Sequence, residues 1–168
     1  MAGYGDDTAF TAWLAAQGLT LPVGAPTPAV LRQRGADYLD ATYEPMLSCS
    51  KRTGSWSQER AWPRAGHAVG GETLPDDLIP QPWVNASYRA AWLEASSPGW
   101  ASGSIDPNRK TKREKVDTLE REFFSPTDTA GGTGAVGNVD AAIQGMVSIF
   151  FCPDAEEAGA LALWAIGS

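Results

Sequence analysis

Apolar positions recur at helical spacing in four stretches of this chain, each bounded by glycine, proline or a capping side chain. Phe10, Trp13 and Leu14 stand at i, i+3 and i+4, which predicts a first helix capped by Asp7 and stopped at Gly18. Thr27 followed by Pro28 is a cap and first-turn pair for a second helix. Its expected inner stripe is Leu31, Gly35, Tyr38 and Thr42 with Leu39 beside it; Arg32, Gln33, Asp37 and Asp40 are expected mostly outward, and Pro45 ends or kinks it. Pro82 opens a third helix, with Val84, Tyr88, Ala91, Trp92 and Ala95 on one face and Pro98-Gly99 as its stop. Asn138 is the expected cap of a fourth, which carries Val139, Ile143, Met146, Val147 and Phe150 on one face and stops at Pro153. Asp154, with Glu156 and Glu157 behind it, starts a last short helix that ends in Leu161 to Ile166.

The connections carry as much information as the helices. Residues 47–81 form a long irregular stretch, too long for a passive loop in a small domain. Within 113–124, Val116, Leu119 and Phe123 fit a helical stripe, while the run 116–124 reads equally as a strand with mixed faces. Residues 125–137, rich in Gly, Ser and Thr, read as a linker. The predicted fold is mainly α, a small helical bundle with long loops and no internal repeat. Its domain spans 1–153, and an extended apolar arm follows over 154–168.

Composition narrows the function classes. A chain of 168 residues suits one domain, and 43% apolar residues with seven tryptophans exclude general disorder. No apolar run reaches about 18 residues, so no membrane span is expected. The opening Met-Ala-Gly-Tyr-Gly-Asp-Asp lacks the basic start and apolar stretch of a signal peptide, which predicts a protein that stays where it is made. The net charge of −7 hides a split: residues 109–115 hold five bases and one acid, leaving eight bases against nineteen acids elsewhere. An acidic body of that kind repels nucleic acid instead of wrapping it.

Catalytic and metal chemistry find little purchase in the spacing. Cys49 and Cys152 are far apart and read as two buried free thiols. His67 sits among glycines, a poor scaffold for a general base, and no Cys and His spacing resembles a zinc site. Asp76-Asp77 and Glu156-Glu157 read as caps, and the Gly131-Gly-Thr-Gly134 run lacks the Lys-Ser/Thr ending of a phosphate loop. The expectation is a non-enzyme with neither cofactor nor metal. Arg109, Lys110, Lys112 and Arg113 are either a solvated loop or a contact for phosphates or an acidic partner; the nearest aromatics, Trp100 and Phe123-Phe124, lie outside the run. Trp62-Pro63-Arg64 has two readings. One is a core tryptophan followed by a turn, with Arg64 in a surface ion pair. The other is a tryptophan plug, with Arg64 as a fork bonding carbonyls or a carboxylate across a contact between subunits.

One ordered set of motifs is familiar. Pro28-Ala-Val-Leu-Arg-Gln-Arg-Gly-Ala-Asp-Tyr-Leu-Asp40 is followed by Gln58-Glu-Arg-Ala-Trp-Pro-Arg64, then Ile79-Pro80, Val84-Asn-Ala-Ser-Tyr-Arg-Ala-Ala-Trp-Leu-Glu94 and Lys112-Arg-Glu-Lys-Val-Asp117. Over roughly residues 5–150 this resembles a family of tailed-bacteriophage proteins often labelled DnaT-like single-stranded-DNA-binding proteins. These also look like the head–tail connectors, or adaptors, of long-tailed phages. The resemblance implies a structural virion protein at the neck, made in the host cytoplasm and assembling as a ring of about twelve copies under the portal. Its implied partners are the portal protein, its own copies, the next neck or tail-completion protein and the double-stranded DNA that passes through. In the family this segment is more often strand than helix, which implies a short β-hairpin near 112–124; Asp117, where the family often has Gly, is a departure that counts against it. Leu161, Leu163, Trp164 and Ile166 lie beyond the resemblance, and an apolar end of this kind calls for a partner, the portal or a neighbouring subunit. The alternative function is a single-stranded-DNA-binding replication accessory.

Overall fold

The computed structural model describes residues 3–101, 115–116, 119–120 and 139–153. Four α-helices carry the fold: α1 (Asp7–Ala16), α2 (Pro28–Tyr43), α3 (Gln81–Ser96) and α4 (Ala141–Val147). Among the described residues there are also three antiparallel strand pairs of two residues each. They are β1 (Lys51–Arg52) with β2 (Arg64–Ala65), β3 (Ala68–Val69) with β4 (Glu72–Thr73), and β5 (Lys115–Val116) with β6 (Leu119–Glu120). The last pair aligns Lys115 with Glu120 and Val116 with Leu119, so these residues take the hairpin reading and not the helical one, while Phe123 lies outside the described residues.

Local signals explain most helix ends. Asp6, not Asp7, caps α1: its extended backbone suits the cap position and its Oδ1 accepts from Ala9 N at 2.8 Å. Asp7 becomes the first helical residue and turns to Arg32. At the far end Gly18 takes a φ of 67°, and Leu19 N–H reaches back to the Leu14 carbonyl at 2.9 Å, closing the helix in a Schellman arrangement. Pro28 begins α2 as expected, and at Tyr43 the helix tightens into a 3-10 turn, Glu44–Leu47, that accommodates Pro45. Asn138 lies outside the described residues; Asp140 caps α4, accepting from Ile143 N at 3.0 Å. That helix gives way at Val147 to a 3-10 turn, Ser148–Phe150, before Pro153 is reached.

The core lies between α2 and α3, with α1 and α4 closing its sides. Gly35 sets the approach of the central pair. A Cβ there would lie 2.3 Å from the Ser87 carbonyl oxygen and 2.7 Å from Ala91 N, so only hydrogen fits. Phe10 and Trp13 of α1 lean on Tyr88 of α3, with ring centroids 5.2 and 6.0 Å apart. From α4 and its 3-10 extension, Ile143, Val147 and Phe150 are buried, whereas Val139 is exposed. The inner face of α3 is broader than the single expected stripe: Trp83, Ala86, Ser87, Ala90 and Glu94 are buried as well, and Trp92 is only half-buried, with its indole donating to the Thr20 carbonyl.

Two side chains of α2 reverse their expected direction. Arg32 and Asp40 are 6% and 8% exposed. The segment before α1 crosses α2, and Arg32 Nη1 donates to the carbonyls of Gly3, Tyr4 and Gly5 at 3.1, 3.1 and 2.8 Å. Asp40 accepts the Tyr4 hydroxyl at 2.7 Å. Periodicity marks these positions as polar; the crossing segment covers them.

Candidate functional site

The Gln58–Arg64 motif organises the stretch between α2 and α3. Gln58 ties the turn together: its Nε2 donates to the Arg60 and Pro63 carbonyls at 2.9 and 2.8 Å, and its Oε1 accepts Gly54 N at 2.8 Å. Arg60 reaches α2, pairing with Asp37 at 2.8 Å and Asp40 at 3.2 Å, and Ala61 N also donates to Asp40. Burial is the largest influence on the Asp40 carboxyl and raises its pKa, against the opposing hydrogen bonds from Tyr4, Ala61 and Arg60. The Tyr4 phenol is likewise raised, by burial first and by the neighbouring Asp40 charge next.

Trp62 is fully buried behind a cis peptide bond to Pro63 and meets three rings edge-on: His67 at 4.9 Å, Phe150 at 5.6 Å and Trp83 at 6.0 Å. It therefore joins the connecting stretch to α3 and to the 3-10 turn after α4. The side chain that follows on β2, Arg64, is 5% exposed and saturates its guanidinium inside its own chain. Nη2 donates to the Leu47 and Ser50 carbonyls at 2.9 and 2.6 Å, Nη1 to Ala61 O at 3.1 Å, and Nε to Ser50 Oγ at 2.7 Å. Glu44 accepts from both Arg64, at 3.2 Å, and Arg52, whose Nε bond is 2.6 Å. These bonds, led by the one from Arg52, hold the Glu44 carboxyl below its ordinary pKa. Trp62 is buried, as both readings have it. Arg64 bonds carbonyls and a carboxylate of its own chain, and its pair with Glu44 is partly buried.

Beside Arg64 lies a cluster that spacing does not reveal. Cys49 and Cys152 are joined in a disulfide across 103 residues of sequence, which overturns the reading of two buried free thiols; Cys49 is exposed and Cys152 half-buried. The bond ties the turn after α2 to the end of the α4 segment, reinforced by Cys152 N donating to the Met46 carbonyl at 2.9 Å. His67, fully buried, brings a ring nitrogen to the same place: its ligand atom and the two sulfurs lie within 4.8 Å of one another. Its Nδ1 is 2.8 Å from Ser50 Oγ. Burial above all, then the Arg64 charge, holds the ring below the ordinary imidazole pKa, against the pull of the Phe150 carbonyl. Three residues distant in sequence thus converge, a grouping that the search for local ligand spacing does not find.

Among the described residues, all six arginines make ion pairs with carboxylates. Arg32 pairs with Asp7, Arg34 with Glu94, Arg52 and Arg64 with Glu44, Arg60 with Asp37 and Asp40, and Arg89 with Asp140. The other candidates named from sequence, Arg109, Lys110, Lys112 and Arg113 and the arm residues Leu161, Leu163, Trp164 and Ile166, lie outside the described residues.

Residues 3–164 match the sequence profile of the family described as "Putative DnaT-like ssDNA binding protein". The chain belongs to this family. No curated protein and no solved structure matches it. The family match runs past Pro153 as far as residue 164, so most of the segment read as an arm beyond the resemblance is family sequence too.

Proposed function

We propose that this family member is a non-catalytic virion component, a head–tail connector (adaptor) that forms a ring of about twelve copies beneath the portal and lets double-stranded DNA pass. The observation that carries this reading is the internal use of its arginines. Six guanidinium groups that could bind phosphate are committed to carboxylates of the same chain, and charge outside residues 109–115 is strongly acidic. Such a surface suits a channel through which DNA moves without adhering. Large apolar side chains left in solvent, Val23, Met46, Trp56 and Ile149 among them, suit a chain whose copies and neighbours cover them. The ordered motif set resembling phage connectors supports the same reading.

In this reading the partners are the portal, neighbouring copies and the next neck protein, and the protein resides in the virion neck. Leu161, Leu163, Trp164 and Ile166 are its proposed docking element on the portal or a neighbour. Mixing the purified protein with DNA-filled, tail-less heads and imaging the vertex by electron microscopy tests the proposal. A symmetric ring under the portal is the expected result, and a bare vertex at saturating protein would overturn it. Removing residues 154–168 should abolish vertex binding while leaving the fold intact.

A second reading, a single-stranded-DNA-binding replication accessory, is favoured by the description of the family itself. In that reading Arg109, Lys110, Lys112 and Arg113 contact phosphates. Salt-dependent oligonucleotide binding separates the two.

A further inference from the structure

We infer that, when the Cys49–Cys152 bond is reduced, the two sulfurs and His67 Nε2 form a Cys2His site for zinc(II), with water in the fourth position. This inference is independent of which function is correct.

Three observations converge on it. The two sulfurs and one ring nitrogen of His67 already lie within 4.8 Å of one another, and the Cα atoms of the two cysteines are 5.7 Å apart. A tetrahedral site with Zn–S near 2.3 Å and Zn–N near 2.0 Å places its ligand atoms about 3.5–3.8 Å from each other.

The histidine is oriented as a ligand requires. Ser50 Oγ accepts from Arg64 Nε at 2.7 Å and can donate its one proton to the Leu47 carbonyl at 3.3 Å. In the tautomer in which His67 Nδ1–H donates to Ser50 Oγ, across 2.8 Å, the lone pair stands on Nε2. Nε2 is buried with no partner at hydrogen-bond distance among the described residues, and the Phe150 carbonyl that acts on the ring is the group a metal would compete with. A buried polar atom of that kind is costly unless something engages it. Packing against Trp62 and Phe150 fixes the ring plane, as outer contacts do around metal-bound imidazoles.

The sulfurs are also set up to carry negative charge. Cys49 N–H donates to Cys152 Sγ at 3.0 Å, a contact that favours a thiolate. A dithiol or phosphine reductant supplies two electrons, and two protons are taken up as the S–S bond becomes two thiols. On metal binding each thiol releases its proton to solvent, and each sulfur donates an electron pair, as does Nε2. The same junction is then held covalently under oxidising conditions and by the metal under reducing ones.

Cobalt(II) is the probe, added to the full chain after phosphine reduction and removal of metals. One cobalt per chain is expected, with near-ultraviolet thiolate-to-metal absorption and the intense visible bands of a four-coordinate ion, displaced by zinc. The disulfide form should show neither. Cys49→Ser, at an exposed position, should keep the fold by circular dichroism and weaken binding at least about 100-fold. Nitrogen-15 NMR of the imidazole should show the Nε2 resonance of His67 shifting when zinc is added. Absence of the thiolate absorption in reduced protein, unchanged affinity in Cys49→Ser, or an unmoved Nε2 resonance would each overturn the inference.

Discussion

Arg64 donates to Ser50 twice, from Nη2 to its carbonyl at 2.6 Å and from Nε to its hydroxyl at 2.7 Å, and so fixes the chain between α2 and β1 from beneath. The guanidinium is planar and presents donors along two edges, which is why one side chain also serves Leu47, Ala61 and Glu44. Lysine keeps the charge but offers three donors at a single point. Arg64→Lys should therefore leave several buried carbonyl and hydroxyl groups short of a partner. The expected loss is about 2–4 kcal/mol of unfolding free energy in urea, larger than for Arg34→Lys, whose side chain is nearly half exposed. Equal effects at the two positions would contradict the structural role given to Arg64.

Gly35 and Gly145 make a matched pair of tests. A Cβ on Gly35 would meet backbone atoms of α3 at 2.3 and 2.7 Å, contacts that no rotamer change relieves. Gly35→Ala should force α2 and α3 apart and cost about 2 kcal/mol or more. Gly145 lies in α4 with nothing within 4 Å of its added Cβ. Gly145→Ala should stabilise by about 0.5–1 kcal/mol through helix propensity alone. Thermal and urea melts of the two variants should move in opposite directions.

The acid limb of stability should report on Glu44. Its pKa is lowered in the folded state, chiefly by the hydrogen bond from Arg52, so the unfolded chain binds a proton more readily. The contribution is then present above the ordinary value of 4.5 and is lost as pH falls through the lower, folded value. Asp140, lowered by its bonds to Arg89 and to Ile143 N in spite of burial, acts with the same sign. Asp40 acts oppositely, because burial raises it. Urea midpoints measured from pH 7 down to about pH 3 should fall less steeply in Glu44→Gln than in the parent. An unchanged slope would mean that the pairing with Arg52 and Arg64 does not persist in solution.

Closing a loop across 103 residues by Cys49–Cys152 restricts the unfolded chain. In metal-free oxidising buffer Cys49→Ser should lower unfolding free energy by about 2–4 kcal/mol. With a phosphine reductant and a chelator present, parent and variant should become equal. A difference that survives reduction would show that the serine acts through something other than the bond.

These tests fall largely where sequence patterns stop being informative. Helix interiors were legible, since Phe10 with Leu14, Leu31 with Leu39 and Tyr88 with Ala91 and Ala95 announce their buried faces by spacing alone. Gly18 and Pro28 marked their boundaries for local steric reasons. Caps were harder: Asp6 competes with Asp7, and Asp140 with Asn138, and only backbone geometry decides between neighbours. Buried charge was invisible. Arg32 and Asp40 look like solvent-facing helix positions until residues 3–6 are laid across them. The Cys49, His67 and Cys152 cluster is a purely tertiary product, and no local signal points to it. The Gln58–Arg64 motif sits between these extremes: it stands out in the sequence, but its meaning depends on Glu44, Ser50 and Asp40 being brought to it.

The same internal commitment of arginines limits what nucleic-acid binding can look like. With the six described guanidinium groups paired, the seven remaining cations are the five in residues 109–115 with Lys51 and Arg121. Each phosphate neutralised on a single strand contributes about −0.7 to the slope of log K against log salt, so these cations support a slope no steeper than about −5. The basic run's lack of interleaved aromatics removes the stacking that strengthens single-strand binding. Fluorescence anisotropy with a thymine oligonucleotide should therefore give a Kd weaker than about 10 μM near physiological salt. Lys110→Glu combined with Lys112→Glu should abolish the remainder. Tighter binding with a steeper slope would mean that the paired arginines exchange their carboxylates for phosphates, and the replication reading would then replace the connector.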